Sequence, residues 1–406
     1  MSPKPNTQTH SVQPPPRSPA LVLFALAIGA FAIGTTEFAT MSLLPYFAQD
    51  LGIDAPTAGH VISAYALGVV VGAPVLTVLG ARVARRSLLI WLMAMFAIFN
   101  GLCAFAPNYE SMLALRFLSG LPHGAYFGIG ALVAVSQVPL SKRNQAVGRM
   151  FLGLTVATII GVPLANWMGH AIGWRWGFGL VALAGAVTVA LVSWVVPHTP
   201  PAAGASPLRE LGALKHGQVW LTLATGAIGF GGLFAVYTYL ADTLMQVTGA
   251  GPETVPIVLG VFGLGLTAGN IVAPWFADRA LMPTAAGLLV WSAAATALFT
   301  VTAGNIWTIS LTVFLIGMGG ALGTVLQTRL MDVARHAQGL AAALNHSAFN
   351  LANALGPFLG GLAIAHGYGW TSPGWVGSLL ALGGLVLLLI SVWTERRGRA
   401  AAQAGA

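Results

Sequence analysis

Gly29-Ala30-Phe31-Ala32-Ile33-Gly34-Thr35-Thr36-Glu37-Phe38-Ala39-Thr40-Met41-Ser42-Leu43-Leu44-Pro45 is an apolar stretch of membrane-spanning character with one carboxylate in its outer half. By the lower estimates a charge in hydrocarbon costs about 2.5–3.5 kcal/mol, so such a group normally faces a partner or a water-filled cavity. A hydrogen bond that only packs helices would be served by Gln or Ser. An ionisable residue at position 37 therefore points to a group that is used, and the use must be sought in the rest of the chain.

The chain has 406 residues, of which 56% are hydrophobic and 7% charged, and it contains 51 glycines. Soluble domains carry about 25% charged residues, so this composition is that of a polytopic membrane protein. The net charge of +8 does not point to nucleic acid, because the basic residues gather on no single segment. One cysteine, Cys103, lies in an apolar run, which leaves no disulfide framework and no thiolate metal site. The nine histidines include no His-x-x-x-His or His-Glu-x-x-His pair, and there is no Gly-x-Ser-x-Gly elbow. An enzyme has no motif support, and neither a cofactor nor a metal is expected.

Residues 1–20 are polar and proline-rich and read as a disordered cytoplasmic tail. Apolar runs follow at 21–46, 57–79, 87–106, 110–138, 143–169, 176–196, 219–246, 253–276, 283–302, 306–331, 339–366 and 374–394. Each has the roughly 20 residues that a rise of about 1.5 Å per residue needs to cross the hydrocarbon. This predicts an all-α membrane protein with twelve transmembrane helices. With the N-terminus inside, the inner segments hold Lys4, Arg17, Arg82, Arg85, Arg86, Lys142, Arg143, Arg149, Arg209, Lys215, Arg279, Arg329, Arg335, Arg396, Arg397 and Arg399. Of the 18 basic residues only Arg175 falls outside, and Arg116 lies within a helix. The positive-inside bias predicts that both termini are cytoplasmic.

Residues 197–218 form the longest interior break, with Pro197, Pro200, Pro201 and Pro207. Ser206-Pro207 suits a helix start, and Leu208, Leu211 and Leu214 form a stripe beside Arg209 and Lys215, which predicts a short helix on the inner membrane surface. The break separates six-helix bundles at 21–196 and 219–394, leaving 395–406 as a second cytoplasmic tail. The bundles are related. Gly68, Gly72 and Arg82 match Gly265, Gly269 and Arg279 at a shift of 197, and Pro163 and Trp176 match Pro357 and Trp370 at a shift of 194. Parallel repeats with a site between them near the midplane are a transporter architecture. Glu37 shifted by 197 lands on Phe234, so the acid belongs to the first half alone.

Gly34-Thr35-Thr36-Glu37-Phe38 with Leu43-Leu44-Pro45, Ala64-Tyr65-Ala66-Leu67-Gly68 with Gly72-Ala73-Pro74, Leu115-Arg116-Phe117 with His123-Gly124, and Ala343-Leu344-Asn345 with Ser347-Ala348-Phe349-Asn350-Leu351 carry a resemblance over essentially the whole chain after residue 20. The chain resembles the major facilitator superfamily, in its twelve-helix drug:proton antiporter branch, and is similar to the arabinose-efflux-permease-like bacterial exporters. The resemblance implies two pseudo-symmetric six-helix bundles and conformational motifs at Arg82, Arg85, Arg86, Asp278, Arg279, Gly161, Pro163, Gly356 and Pro357. Two motifs depart from the family pattern. Where the second half keeps Asp278-Arg279, the first half has Ala81 before its arginines, and those arginines are left to meet helix C-termini or anionic lipid. The glycine–proline motif of the fifth helix is loosened to Gly161-Val162-Pro163, whereas the eleventh keeps Gly356-Pro357 with Gly360-Gly361.

On the fourth helix Arg116, Ser119, His123, Tyr126 and Gly130 recur at three- and four-residue steps and share a face. Counted from the outer edge at about 1.5 Å per residue, Arg116 lies about 9–10 Å deep and Glu37 about 12 Å, so an ion pair between them is open. His123 falls nearer the midplane. His346, Asn350 and Asn353 form a polar stripe on the eleventh helix, with Tyr65 and Tyr237 contributed by the second and seventh. These residues predict a proton-coupling group of Glu37, Arg116 and His123. The predicted cavity wall is Tyr65, Ser119, Tyr126, Tyr237, His346, Asn350 and Asn353.

The reading is a proton-coupled exporter of drug-like or amphipathic small molecules, working as a monomer in a bacterial cytoplasmic membrane by alternating access. Its partners are substrate, protons and lipid. Helix 11 polarity leaves open a sugar or nucleoside exporter, or a proton symporter, on the same fold. A non-transporting membrane sensor is the alternative from another class.

Overall fold

The computed structural model describes residues 18–53, 55–201 and 206–404. Among them twelve helices are long and apolar enough to cross a membrane: α1 (Pro19–Leu44), α2 (Thr57–Arg82), α3 (Arg85–Cys103), α4 (Tyr109–Ser136), α5 (Leu140–Ala171), α6 (Trp174–Val195), α7 (Gly217–Thr248), α8 (Val255–Ala277), α9 (Leu281–Thr302), α10 (Ile306–Val333), α11 (Gln338–Tyr368) and α12 (Ser372–Arg397). The expected N-terminal tail lies outside the described residues up to position 17; α1 begins at Pro19, where a proline suits the first turn.

Two ends differ from expectation. The first helix runs on to Leu51 and stops at Gly52, which takes the left-handed conformation (φ 66°) that a glycine adopts without penalty. The last helix does not end at 394 but continues to Ala404, so the expected tail at 395–406 is helical over most of its length. Arg396–Ala404 is rich in Ala, Arg and Gln, good helix formers that extend a helix already nucleated. Glu395 is also tied to Arg329 at 2.6 Å.

The linker helix, Pro207–Leu211, is capped by the Ser206 side chain and tightens into a 3₁₀ turn at Gly212–Lys215. Ala213 is buried and Leu214 packs with Val219 and Leu340, while Leu208 is exposed. The predicted apolar stripe is therefore split between protein and surroundings. Arg175, the one basic residue expected on the other face, pairs with Asp50, which also accepts from Trp174 Nε1 at 3.1 Å. Hydrogen bonds from Arg175 and then Trp174 hold the Asp50 carboxyl below its ordinary range.

In lipid, helices gain little from hydrophobicity and associate through close packing, which small residues permit. The internal repeat is built from such contacts. Gly68 and Gly72 of α2 lie against the backbone of Phe117 and Leu121 in α4, and Gly120 of α4 against the Tyr65 carbonyl. In the second half Gly265 and Gly269 of α8 lie against Phe314 and Met318 of α10, and Gly317 against the Phe262 carbonyl. Each residue of the first set stands 197 positions before its counterpart. The shift read in the sequence is thus a repeated backbone contact.

The loosened motif of α5 has a local consequence. The helix widens into a π turn at Ala157–Gly161 just before Pro163, a way to absorb a residue that donates no hydrogen bond. Gly161 packs on the Thr35 side chain of α1, and Gly356 on the Gly231 carbonyl of α7.

Gly72→Ala and Gly269→Ala each force a Cβ into backbone, and overpacking of this kind costs about 1–3 kcal/mol. Thermal melts in detergent should show both variants unfolding several degrees early, while Gly287→Ala, whose Cβ meets open space, melts with the wild type. Three indistinguishable melts would show that these contacts do not stabilise the packing within each half.

Candidate functional site

Arg116 is fully buried in α4. One amino group donates to Thr36 Oγ1 at 2.9 Å, Thr36 donates onward to Asn100 Oδ1 at 2.6 Å, and Asn100 Nδ2 donates to the Phe96 carbonyl at 2.9 Å. The guanidinium lies 4.3 Å from the centroid of the Tyr65 ring, a cation–π contact, and 5.7 Å from that of Phe178. Its Nε and other amino group are buried without a hydrogen-bond partner.

The direct Glu37–Arg116 pair that the depth comparison leaves open is not formed. No ion pair within 4.0 Å joins Glu37 to Arg116, unlike Arg143–Asp332, Arg175–Asp50 and Arg329–Glu395. The physical reason is angular. Successive helical residues point about 100° apart at 3.6 per turn, so Thr36 turns toward α3 and α4 while Glu37 turns to the interior of the bundle. Arg116 follows Thr36 and acts on Glu37 through its charge alone.

Glu37 is half-buried and borders a cavity between the two halves. The first half also contributes Phe38, His123, Phe151, Leu154 and Thr155. The second contributes chiefly Phe230, Phe234, Tyr237, Phe262, Asn270, His346, Phe349 and Asn350. Phe234, the repeat's counterpart of Glu37, borders the same cavity. Phe230 and Phe349 stack at 4.7 Å, and Tyr237 meets Phe262 at 4.7 Å and Phe38 at 6.3 Å. The wall is an aromatic cage with a few polar atoms. The cavity volume is about 70 Å³, room for about two waters at a liquid share of about 30 Å³ each. Drug-sized ligands occupy sites of about 300–1,000 Å³, so binding one requires the halves to separate from this closed state.

Two histidines join the halves at this cavity. His123 Nε2 lies 3.2 Å from His346 Nδ1, and Tyr65 Oη lies 3.0 Å from His123 Nδ1. His346 is stacked on Phe127 at 4.2 Å, and its Nε2 is buried without a partner. A self-consistent assignment for neutral rings runs from Tyr65 O–H to His123 Nδ1, from His123 Nε2–H to His346 Nδ1, and leaves His346 Nε2–H for a ligand. The chain starts at the ring beneath Arg116 and ends at the cavity.

Other predicted wall residues lie elsewhere. Tyr126 is fully buried, donates to the Leu26 carbonyl at 2.9 Å and packs over Gly29, bracing α4 against α1. Ser119 donates to the Arg116 carbonyl of its own helix at 2.9 Å. Tyr65 sits behind His123 rather than on the wall, and Asn353 is half-buried and does not border the cavity. A common helical stripe covers an arc wide enough to touch several neighbours, and only part of it reaches the interface. The phenylalanines and Asn100 were missed. Apolar rings in a spanning helix look alike whether they face lipid or cavity, but an asparagine inside α3 was a readable signal of a buried polar contact.

The charged conformational motifs lie at the linker end of the bundles, whereas Gly161, Pro163, Gly356 and Pro357 lie further along α5 and α11. Asp278 accepts from the Asn144 backbone N–H and side chain, both at 2.8 Å, and from the Gln145 backbone at 3.3 Å and side chain at 3.0 Å, so it caps the start of α5 in the other half. Arg143 clasps Asp332 with two hydrogen bonds of 2.5 Å. Arg86 donates to the Ser193 carbonyl near the C-terminus of α6, where a cation is favoured. Arg279 lies over the Trp275 ring at 3.4 Å, and Arg82 is exposed.

Comparison with known proteins accords with this architecture. The model of the Major Facilitator Superfamily matches residues 26–287 and 240–405. The inner membrane transport protein YdhP of Escherichia coli (strain K12) is 43% identical, covering 91% of this chain and 94% of that protein. The chloramphenicol resistance protein of Streptomyces lividans is 32% identical over 89% of this chain and 93% of its own. The crystal structure of the human organic anion transporter MFSD10 covers 93% of this chain and 100% of that one with a TM-score of 0.72 at 14% identity, a likeness of fold. The chain belongs to the major facilitator superfamily and is a membrane transporter of small molecules, not an enzyme.

Proposed function

We propose that this transporter is a proton-coupled exporter of amphipathic small molecules, in which Glu37 exchanges its proton for substrate. The observation that carries the reading is the position of Glu37, the one acid among the described residues bordering the cavity, in the charge field of a fully buried arginine. An ionised carboxylate needs water or a cation, which an open cavity and Arg116 supply. A protonated one tolerates the closed aromatic cage. One proton moving inward through 100 mV yields about 2.3 kcal/mol, enough to sustain a substrate ratio of about 50-fold. Aromatic walls with few polar groups suit amphipathic ligands, in keeping with the name of the chloramphenicol resistance protein. The unpartnered His346 Nε2, with Asn270 and Asn350 on the wall, favours as a second reading a hydroxylated ligand such as a sugar or nucleoside.

The bacterial inner membrane is the proposed location, as for YdhP, with the basic linker face cytoplasmic. Cys103 is fully buried, so an introduced cysteine can be read over a silent background. A membrane-impermeant maleimide on intact cells should label Gly304→Cys, and Gly212→Cys only after permeabilisation; the reverse pattern overturns the orientation.

A panel of radiolabelled compounds, chloramphenicol and pentoses included, assayed in inverted vesicles tests the function. Glu37→Gln keeps the shape and removes the titratable charge. Gradient-driven accumulation should fall to the vector background in this variant, while substrate exchange without a gradient persists. Accumulation at the wild-type level would place the coupling elsewhere.

A further inference from the structure

The two halves differ at the residue that caps the opposite half. Asp278, in the loop after α8, takes the first backbone N–H groups of α5. Ala81 stands at the matching place in the last turn of α2 and offers no side-chain acceptor. The shift of 194 that relates Pro163 of α5 to Pro357 of α11 carries Asn144 and Gln145 onto Gln338 and Gly339. The start of α11 is thus the helix end left without its capping acid, and a carboxylate is nevertheless there. Glu210 Oε2, from the linker helix, accepts the Leu340 N–H at 2.8 Å and lies beside Gly339. A second linker bond falls just before this helix, from Arg209 Nε to the His336 carbonyl at 3.1 Å in the turn between α10 and α11. On the first-half side the linker helix packs against the end of α2, and the charge of Arg85 at the start of α3 favours the ionised Glu210.

We propose that Glu210 is the first half's gate carboxylate, displaced from the end of α2 onto the linker. It closes this face by capping α11 while its own helix packs on the end of α2. Four backbone N–H groups are orphaned at every helix start, and the partial positive charge there favours an acid. The linker is then a working part of the gate as well as the tether between bundles. When the face opens, α11 must leave Glu210 as α5 leaves Asp278. Burial pushes the Glu210 carboxyl above its ordinary range, against the Leu340 N–H and the charges of Arg85 and Arg209, as expected of a group withdrawn from water to make this tie. The proposal rests on alternating access and not on Glu37 as the coupling site.

Spin labels at Ser141→Cys and Gly287→Cys, one exposed position in each half near this face, read gate opening as an interlabel distance in the full-length protein, without substrate or gradient. Glu210→Gln should increase the long-distance population at least about five-fold, the lower end of an allosteric coupling. Adding Ala81→Asp to Glu210→Gln should restore the short distance, because it returns an acid to the place matching Asp278. Lys215→Gln, on the same linker, should leave the distribution unchanged. A Glu210→Gln distribution equal to that of the wild type, or a double variant that stays open, overturns the proposal.

Discussion

A guanidinium in the middle of an apolar bundle is the constraint around which the first half is arranged. Arg116 cannot remain unsolvated there, and the bundle answers with short-range polar and aromatic contacts from three other helices. Thr36 of α1 accepts from it, Asn100 of α3 backs Thr36, and the Tyr65 ring of α2 covers its face. This cluster sets the rotation of α1. Once Thr36 is turned toward Arg116, the next residue, Glu37, is carried onto the cavity wall. The arginine therefore positions the acid without touching it.

In the second half Phe234 occupies the place that answers to Glu37, and aromatic rings fill that side of the cavity. What the halves share is mechanical. Glycines at the α2–α4 and α8–α10 contacts bring backbone against backbone in both, a rigid pairing that lets each bundle move as a body. Polar ties between the bundles then run from the linker face to the middle, through Asp278, Arg143–Asp332 and the His123–His346 contact. Aromatic contacts such as Phe38–Tyr237 meet on the other side of the cavity. The acid that borders the cavity sits in one bundle, and most of the aromatic rings that border it sit in the other.

Much of this was legible in the sequence, and the exceptions share a cause. The twelve spans lie within a few residues of their predicted bounds because hydropathy and length decide them. The repeat was visible because glycines at backbone contacts cannot be replaced without moving a helix. The relative height of Arg116 and Glu37 was also legible, since rise per residue is fixed and Arg116 meets Thr36, the residue before Glu37. Azimuth was not. The sequence brings Arg116 and Glu37 to similar height but does not say how α1 is rotated relative to α4, and so the ion pair it leaves open is replaced by a contact through Thr36. Tyr126 was misplaced in the same way, on the right helix and the wrong side of the cavity. The Glu210 contact was illegible for another reason: its partner, Leu340, is 130 residues away, and nothing local marks an acid in a linker as a helix cap.

The central claim, that the acid turned into the cavity by the Arg116 cluster carries the coupling proton, is tested most directly by titrating binding itself. Transported substrate added to detergent-solubilised protein in weakly buffered solution should release protons from the wild type in proportion to occupied sites. Glu37→Gln, binding the same compound, should release none. Equal release from the two proteins would contradict the account.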